Sequence, residues 1–240
     1  MAQDVIHLDN PSFEDMPRHS IPPRGWYDCG DPDHSPPDTQ PGWFNVDAVP
    51  SDGDSYLGLT VRDDESWESV AQKLSRPLEA KKCYYFNLDL CRSQYYRSSS
   101  NTKGQYKDYI TPSVLKIWGG TDYCSKKELL GITDEINHFD WFRYDFYFNP
   151  SADYDHILLE IFYKIPTLFP YNGNILIDNA SAIKPINCDS SVIEKANQPA
   201  EDIIKTAEYQ SVGEVSGPGN IIPSNRTVSV NTLPHIYDII

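Results

Sequence analysis

The sequence predicts an all-β sandwich, and two observations lead to this fold class. About ten short segments alternate apolar and polar residues, and almost no helical period lies between them. Aromatic residues make up 12% of the 240 residues, and the 16 tyrosines suit strands better than helices. The 19 prolines and 13 glycines predict frequent turns. A chain of this length can bury a sizeable core without a metal or a disulfide.

The N-terminal part is predicted to hold one broken strand and a long loop. The alternation favours a strand over residues 5–13, but Pro11 interrupts it and confines it to a sheet edge or a bulge. Residues 15–45 are rich in proline and read as a loop. A loop of that length inside a domain is usually functional or packed on the surface.

The middle of the chain carries the strongest alternation. The strands predicted there are residues 56–61, 67–74, 83–92, 114–118, 129–132, 141–149 and 156–163. A turn at residues 63–65 joins the first two, and a loop rich in serine and tyrosine, residues 93–112, precedes the fourth.

The last strong β pattern covers residues 173–183 and contains a carboxylate, Asp178. A lone charge in an apolar strand is costly unless it is satisfied. Its expected counterpart is the segment 10–14 near the N terminus. The two segments are therefore predicted to be neighbouring strands that close one sandwich.

Composition changes after Ile186, which divides the chain into a sandwich, 1–186, and an irregular C-terminal extension, 187–240. The extension is predicted to be a linker or extended tail with one short helix over residues 199–209. Its apolar ending, residues 233–240, is expected either to dock as a strand or to lead into further protein.

Charge and cysteine content bound the partners and the compartment. The net charge of −15 argues against nucleic acid or an anionic membrane surface as the main partner, and no segment is apolar for long enough to span a membrane. The five cysteines show no C-x-x-C spacing, which argues against zinc. Cys83 and Cys91 lie about 26 Å apart on one predicted strand and cannot pair with each other, although either can pair elsewhere.

An odd number of cysteines leaves at least one thiol unpaired within the chain. The first residues, Met-Ala-Gln-Asp-Val-Ile, look like a mature secreted N terminus behind an initiator methionine. This start predicts a removed signal peptide and a secreted, cell-surface or periplasmic location.

Several short motifs resemble the jelly-roll carbohydrate-binding modules of the galactose-binding-like group. They are Asn10-Pro-Ser-Phe-Glu14, Gly25-Trp26, Glu68-Ser69-Val70 with Gln72 and Leu74, residues 141–148, and Leu176-Ile-Asp-Asn179. The similarity covers residues 5–186. It implies a jelly roll of two antiparallel sheets and a non-catalytic role in binding glycan chains. The absent signal peptide and the tail that leads onward also make the chain resemble surface proteins of gliding, type IX-secreting bacteria. This second resemblance implies outer-membrane association, with an envelope protein as the alternative partner.

The resemblance also implies a structural calcium. Several modules of this group hold the ion through a glutamate after the first phenylalanine and an aspartate in the last strand, and Glu14 and Asp178 match those positions. Calcium prefers six to eight oxygen ligands, including backbone carbonyls. The alternative is that each carboxylate accepts backbone hydrogen bonds at a strand end.

A glycan site is predicted on the side chains that face away from the core. The candidates are Tyr85, Asn87, Asp89, Lys116, Trp118, Arg143, Asp145 and Tyr147. Flat rings and planar polar groups suit sugars, although the same mixture also occurs on solvated sheet faces. A second set comes from loop aromatics, namely Trp43, Tyr95, Tyr96, Tyr106 and Tyr109, whose chemistry also suits protein partners.

The sequence does not predict an enzyme. Asp89, Asp145 and Glu160 are the only carboxylates that suggest a catalytic pair, and acidic residues are abundant throughout. Neither G-x-S-x-G nor H-E-x-x-H occurs. We therefore expect a non-catalytic glycan-binding module, with a protein-assembly domain as the alternative.

Overall fold

Strands, turns and loops account for the described part of the chain, which in this computed structural model is residues 5–99, 105–164, 166–188 and 226–228. The strands are β1 (Tyr27–Asp28), β2 (Asp38–Gln40), β3 (Tyr56–Val61), β4 (Ser69–Leu78), β5 (Cys83–Cys91), β6 (Arg97–Ser99), β7 (Tyr106–Asp108), β8 (Ser113–Gly120), β9 (Glu128–Ile132), β10 (Phe142–Phe148), β11 (Tyr154–Tyr163), β12 (Gly173–Asp178), β13 (Lys184–Ile186) and β14 (Arg226–Val228). Over these ranges the chain forms no helix with the length and hydrophobicity needed to cross a membrane.

Two sheets face each other across the core. One has the order β1-β4-β11-β8-β9, and the other has the order β14-β10-β5-β12-β3-β2, with β13 also paired to β5. Eight strands, β3, β4, β5, β8, β9, β10, β11 and β12, form two antiparallel sets of four, β4-β11-β8-β9 and β10-β5-β12-β3. This pairing is that of a jelly roll, so the predicted fold class is confirmed.

The core forms because alternate residues of each long strand point inward. Leu57, Leu59 and Val61 of β3 are fully buried, as are Leu115 and Ile117 of β8. The strands predicted from alternation match β3, β4, β5, β8, β9, β10 and β11 within a few residues, the largest difference being the extension of β4 to Leu78. A regular strand with one buried face is therefore readable from sequence alone.

The predicted N-terminal strand is wrong. Residues 5–13 make only an isolated bridge between Ile6 and Ile183, and Asn10 and Phe13 adopt φ angles of 50° and 54°. The Asn10 side chain accepts a hydrogen bond from the Glu14 amide and donates one to the Glu14 carbonyl, which closes a local turn. Side-chain capping by an asparagine thus replaces the ladder that the alternation predicted.

The predicted neighbour of the last strand is also wrong. β12 lies between β3 and β5 in the middle of its sheet and ends at Asp178. The segment 10–14 packs beyond that end, where the Ala180 amide donates to the Pro11 carbonyl at 2.9 Å. The two segments do meet, but as a turn against a strand end.

Parts of two loops fold onto the outer face of the seven-stranded sheet, the face turned away from the core. The proline-rich loop contains β1, which pairs with β4 in the five-stranded sheet, and β2, which pairs with β3. The loop of residues 93–112 contains the hairpin β6–β7. The Arg97 amide donates to the Phe44 carbonyl at 2.8 Å, which joins the two loops. They cover one half of that outer face.

Two disulfides tie distant parts of the sandwich together. Cys29 bonds Cys124 across 95 residues, and Cys83 bonds Cys188 across 105 residues. Cys91 is free and buried, so the expectation of one unpaired thiol is confirmed. The predicted helix over residues 199–209 and the apolar ending of the tail lie outside the described residues, while β14 pairs in parallel with β10.

Candidate functional site

The structure divides the eight predicted glycan residues between two surfaces. Six of them lie on β5 and β10, which pair side by side in the seven-stranded sheet. Lys116 and Trp118 lie on β8 in the other sheet, and because Leu115 and Ile117 point into the core, these two point outward on the opposite side of the sandwich. The prediction of one shared face for all eight residues is therefore wrong.

The six residues that stay together are called the open half of the outer face: Tyr85, Asn87, Asp89, Arg143, Asp145 and Tyr147. The first five form a hydrogen-bonded network, and Tyr147 packs its ring against Tyr85. Arg143 organises this network. Its Nε and Nη2 atoms lie 2.5 and 3.0 Å from the two carboxylate oxygens of Asp89, and its Nη1 donates to Asn87 Oδ1 at 2.7 Å. A bidentate pair of this kind fixes the plane of the guanidinium group.

The aromatic part of the open half is a pair of half-buried tyrosines. The Tyr85 and Tyr147 rings have centroids 5.1 Å apart and planes tilted by 44°. The Tyr85 hydroxyl donates to Asp145 Oδ1 at 2.6 Å. Burial first, and then this bond to the carboxylate, raise the pKa of Tyr85 to about 12, so the phenol stays neutral. The result is a fixed ring surface bordered by planar polar groups.

Lys116 and Trp118 belong to a different cluster, built around Glu160 on the outer face of the five-stranded sheet. The buried Glu160 carboxylate accepts the indole N–H of Trp67 at 2.6 Å and that of Trp118 at 2.7 Å, and it pairs with Lys126. The Lys116 ammonium lies 3.3 Å from the centroid of the Phe162 ring. The position of Glu160 also separates it from Asp89 and Asp145, so these three carboxylates do not form one site.

The five loop aromatics also divide. Trp43, Tyr95 and Tyr106 are exposed, whereas Tyr96 and Tyr109 are buried. The two buried tyrosines belong to a second apolar cluster, with Val46, Tyr56, Cys91 and Leu176. This cluster covers β3, β12 and the end of β5 at Cys91, and we call the area beneath it the roofed half of the outer face.

A small pocket lies at the edge of the roofed half and was missed by the sequence analysis. Arg62 follows β3 and Glu68 precedes β4, and the two side chains form a buried ion pair. Glu68 Oε2 also accepts the Thr60 amide at 2.8 Å. Beside them, buried Asp38 accepts the Ser20 amide at 2.6 Å and the hydroxyl of Tyr96.

Burial dominates the electrostatics of this pocket. It raises the pKa of Glu68 to about 7, although the Arg62 guanidinium acts in the opposite direction, and it also raises the pKa of Asp38. Perturbed carboxyl groups in a recess are a common feature of ligand sites. A signal for the ion pair was present in the sequence, because the predicted turn at residues 63–65 places 62 and 68 on facing strand ends.

The two candidate calcium ligands both hold one loop, residues 51–55. Glu14 Oε1 accepts the Asp54 amide at 3.0 Å, and the Gly53 backbone lies so close that a Cβ there would stand 1.9 Å from Glu14 Oε1. Asp178 Oδ2 accepts the Ser51 and Asp52 amides at 2.8 and 2.9 Å. The glycine is needed because a side chain at that position would displace the carboxylate.

These contacts do not fit a calcium shell. Asp178 is fully buried, and its Oδ1 accepts a third amide, that of Asn179, at 2.7 Å. Amide hydrogens carry positive partial charge and occupy the lone pairs that a cation would need. In the described residues no three histidine, cysteine, aspartate or glutamate side chains form a group that could hold a metal. The geometry favours amide capping, and calcium stays a prediction that chelation can test.

Comparisons with known proteins give distant structural similarity only. No family model matches the chain, and no curated protein matches it. A Stig cyclase, Fisc from Fischerella sp. TAU, is 14% identical, with a TM-score of 0.49 over 78% of this chain and 100% of the cyclase. A family 16 carbohydrate-binding module is 14% identical, with a TM-score of 0.39 over 73% of this chain and 97% of the module. A CBM4 structure is 10% identical, with a TM-score of 0.40 over 69% of this chain and 97% of that one. One of these proteins is a cyclase and two are binding modules, and at this distance none assigns a function.

Proposed function

We propose that this chain is a non-catalytic glycan-binding module of an extracellular or cell-surface protein. The single observation that carries the proposal is the open half of the outer face. There the tyrosine pair lies beside four planar polar side chains, which are held by hydrogen bonds to one another and to Tyr85. Such an arrangement is formed before any ligand arrives, so binding would order few side chains.

The chemistry of the open half suits a sugar ring. The apolar C–H face of a pyranose can lie on the half-exposed rings of Tyr85 and Tyr147, because tyrosine supplies large contact area at low entropy cost. Arg143 and Asn87 are planar groups at the border of those rings and can bond hydroxyls. A shallow surface of this kind favours extended chains over buried small molecules.

The compartment proposed here agrees with the cysteine chemistry. Two disulfides with long closed loops persist in oxidising environments such as the cell exterior or the periplasm. The chain carries a net charge of −15, so neutral glycans are better ligands than acidic ones.

Calorimetric titration with soluble xylo- and cello-oligosaccharides tests the proposal. Tyr147→Ala removes one ring of the pair from a half-exposed position and is expected to weaken binding by about tenfold while the melting temperature changes little. Tyr123→Ala is the matched control, because Tyr123 is an exposed tyrosine beside the five-stranded sheet, in contact with His156. Equal affinities for the two variants would refute the proposal, and so would the absence of binding by the folded wild type to any neutral glycan of an array.

A protein-assembly domain is the second candidate, and one observation favours it. Leu168 and Phe169 are 90% and 76% exposed in the loop between β11 and β12. Adjacent large apolar side chains at a loop tip are typical of a contact with another protein. Chemical cross-linking in the native envelope, with the wild type and a Leu168→Ser, Phe169→Ser double variant, tests this reading. A defined cross-linked partner that disappears in the double variant would favour assembly over glycan binding.

A further inference from the structure

The pocket beside the roofed half has a volume of about 30 Å³, which is room for about two water molecules. Its walls come from β2, β3, the turn after β3 and the hairpin β6–β7. The lining includes Asp38, Arg62, Asp63, Asp64, Glu68 and Ser98. None of them belongs to the open half, so this pocket is a separate place on the same sheet.

Two buried polar atoms of the pocket lining, Arg62 Nη1 and His34 Nδ1, have no hydrogen-bond partner among the described residues, and of the two the arginine nitrogen is always a donor. Arg62 is only 8% exposed, and its Nη2 donates to Glu68 and to the Ser35 carbonyl, the latter at 3.2 Å. Its Nη1 is buried and has no hydrogen-bond partner among the described residues. A buried donor without an acceptor costs about 1–3 kcal/mol. An acceptor atom from outside the chain is therefore expected at this position.

The charges of the lining decide what kind of acceptor fits. Four carboxylates, those of Asp38, Asp63, Asp64 and Glu68, line the pocket, so an anion would meet repulsion. A metal cation would meet the Nη1 hydrogens of Arg62. A neutral oxygen that both accepts and donates satisfies both sides, because it can take the Arg62 hydrogen and give its own to a carboxylate.

We propose that the pocket binds a neutral hydroxyl-bearing group, the end of a polyol or two neighbouring hydroxyls of a sugar. One ligand oxygen accepts from Arg62 Nη1, and the ligand hydroxyls donate to Glu68 and Asp38. The raised pKa values of these two carboxyl groups are consistent with such sharing of protons, because burial disfavours their charged forms. This site is independent of the glycan surface proposed above.

Saturation-transfer NMR with free glycerol, myo-inositol and D-galactose, each at millimolar concentration, tests the proposal. Ser98 lines the pocket, so Ser98→Phe fills part of it with a ring and leaves the side chains of the Arg62–Glu68 pair unchanged. Gln94→Phe is the matched control, since Gln94 is exposed on the same loop and does not line the pocket. We expect at least one probe to give a signal with the wild type and with Gln94→Phe that falls by about tenfold in Ser98→Phe.

A crystal structure of the wild-type protein soaked with the responding probe gives a readout that needs no variant. The proposal expects a ligand oxygen within hydrogen-bond distance of Arg62 Nη1. Ordered waters alone at that atom, or equal signals from all three proteins, would overturn it. Retention of the signal in Tyr147→Ala separates this pocket from the open half.

Discussion

The two halves of the outer face of the seven-stranded sheet each have an arginine–carboxylate pair, but the hydrogen bonds of the two arginines are satisfied to different extents. In the open half, Arg143 is half-buried and pairs with Asp89, and its neighbours complete a network of mutual hydrogen bonds. At the edge of the roofed half, Arg62 is almost fully buried and pairs with Glu68, but one of its donors is left unused. The loops make the difference, because they cover β3, β12 and the end of β5. They leave the outward side chains of four residues of the open half partly exposed, namely Tyr85, Asn87, Arg143 and Tyr147.

The two halves therefore suit different ligands, an extended one in the open half and a small one at the edge of the roofed half. In the open half the polar side chains already hydrogen-bond one another and remain partly exposed to water. They form a preformed surface that an extended ligand can bind. The buried Arg62–Glu68 pair instead leaves one donor unused, Arg62 Nη1, which a small ligand with one acceptor atom can satisfy. Charge pairs of similar chemistry can therefore serve unlike roles according to burial.

The largest expected effect comes from breaking the buried pair. Arg62→Met leaves the Glu68 carboxylate buried without its partner and should lower the free energy of unfolding by about 3–5 kcal/mol. Arg143→Met removes a pair whose arginine is half-buried, and the expected loss is about 1–2 kcal/mol. Urea denaturation of both variants provides the measurement. Equal losses would mean that the loops do not set the energetic difference between the two halves.

A second, smaller effect concerns the loop that Asp178 holds next to the open half. Asp178→Ala leaves three backbone amides without their acceptor and should lower the free energy of unfolding by about 2–3 kcal/mol. The same variant tests the calcium prediction through the melting temperature in excess chelator. Amide capping predicts that chelator leaves the wild-type melting curve unchanged. A wild-type curve that falls in chelator, and an Asp178→Ala curve that does not, would instead establish a calcium ion.

The smallest effect is a pH dependence of the same site. Burial raises the pKa of Asp178 to about 7 against three opposing amide bonds, so the folded state holds the proton more tightly than the unfolded chain. Stability from this group is therefore present below about pH 4 and is lost as the pH rises towards 7. Relative to Asp178→Asn, the wild type should lose about 1–2 kcal/mol across that window. A wild type that gains stability over the window would show that the amides hold an ionised carboxylate.

The sequence predicted the strands well because one buried face imposes alternation. It could not assign Lys116 and Trp118 to the correct surface, since alternation reveals the two sides of a strand but not the sheet to which the strand belongs. β5 and β10 are distant in sequence but pair with each other in one sheet, and six of the predicted residues lie side by side on them. They share a face because they occupy alternate, outward-facing positions on two long regular strands.

Apart from the Arg62–Glu68 pair beside the predicted turn, the pocket depends on contacts that no local pattern reveals. Tyr96 bonds Asp38 across 58 residues, and both belong to loops that alternation does not describe. The turn between Glu14 and Asn10 was missed for a related reason, because an asparagine side chain replaces the ladder bonds that a strand would make. The sequence therefore could not predict the structure of loops whose hydrogen-bond partners are distant in the chain.

The most direct test of the glycan proposal is a titration followed by amide chemical shifts. Two-dimensional ¹⁵N–¹H spectra of the ¹⁵N-labelled wild type, recorded with increasing xylo- or cello-oligosaccharide, report every described strand at once. The proposal predicts that the shifted amides cluster on residues 85–89 and 143–147. Shifts confined to residues 116–118 on the opposite sheet, or to the loop around Leu168, would contradict it.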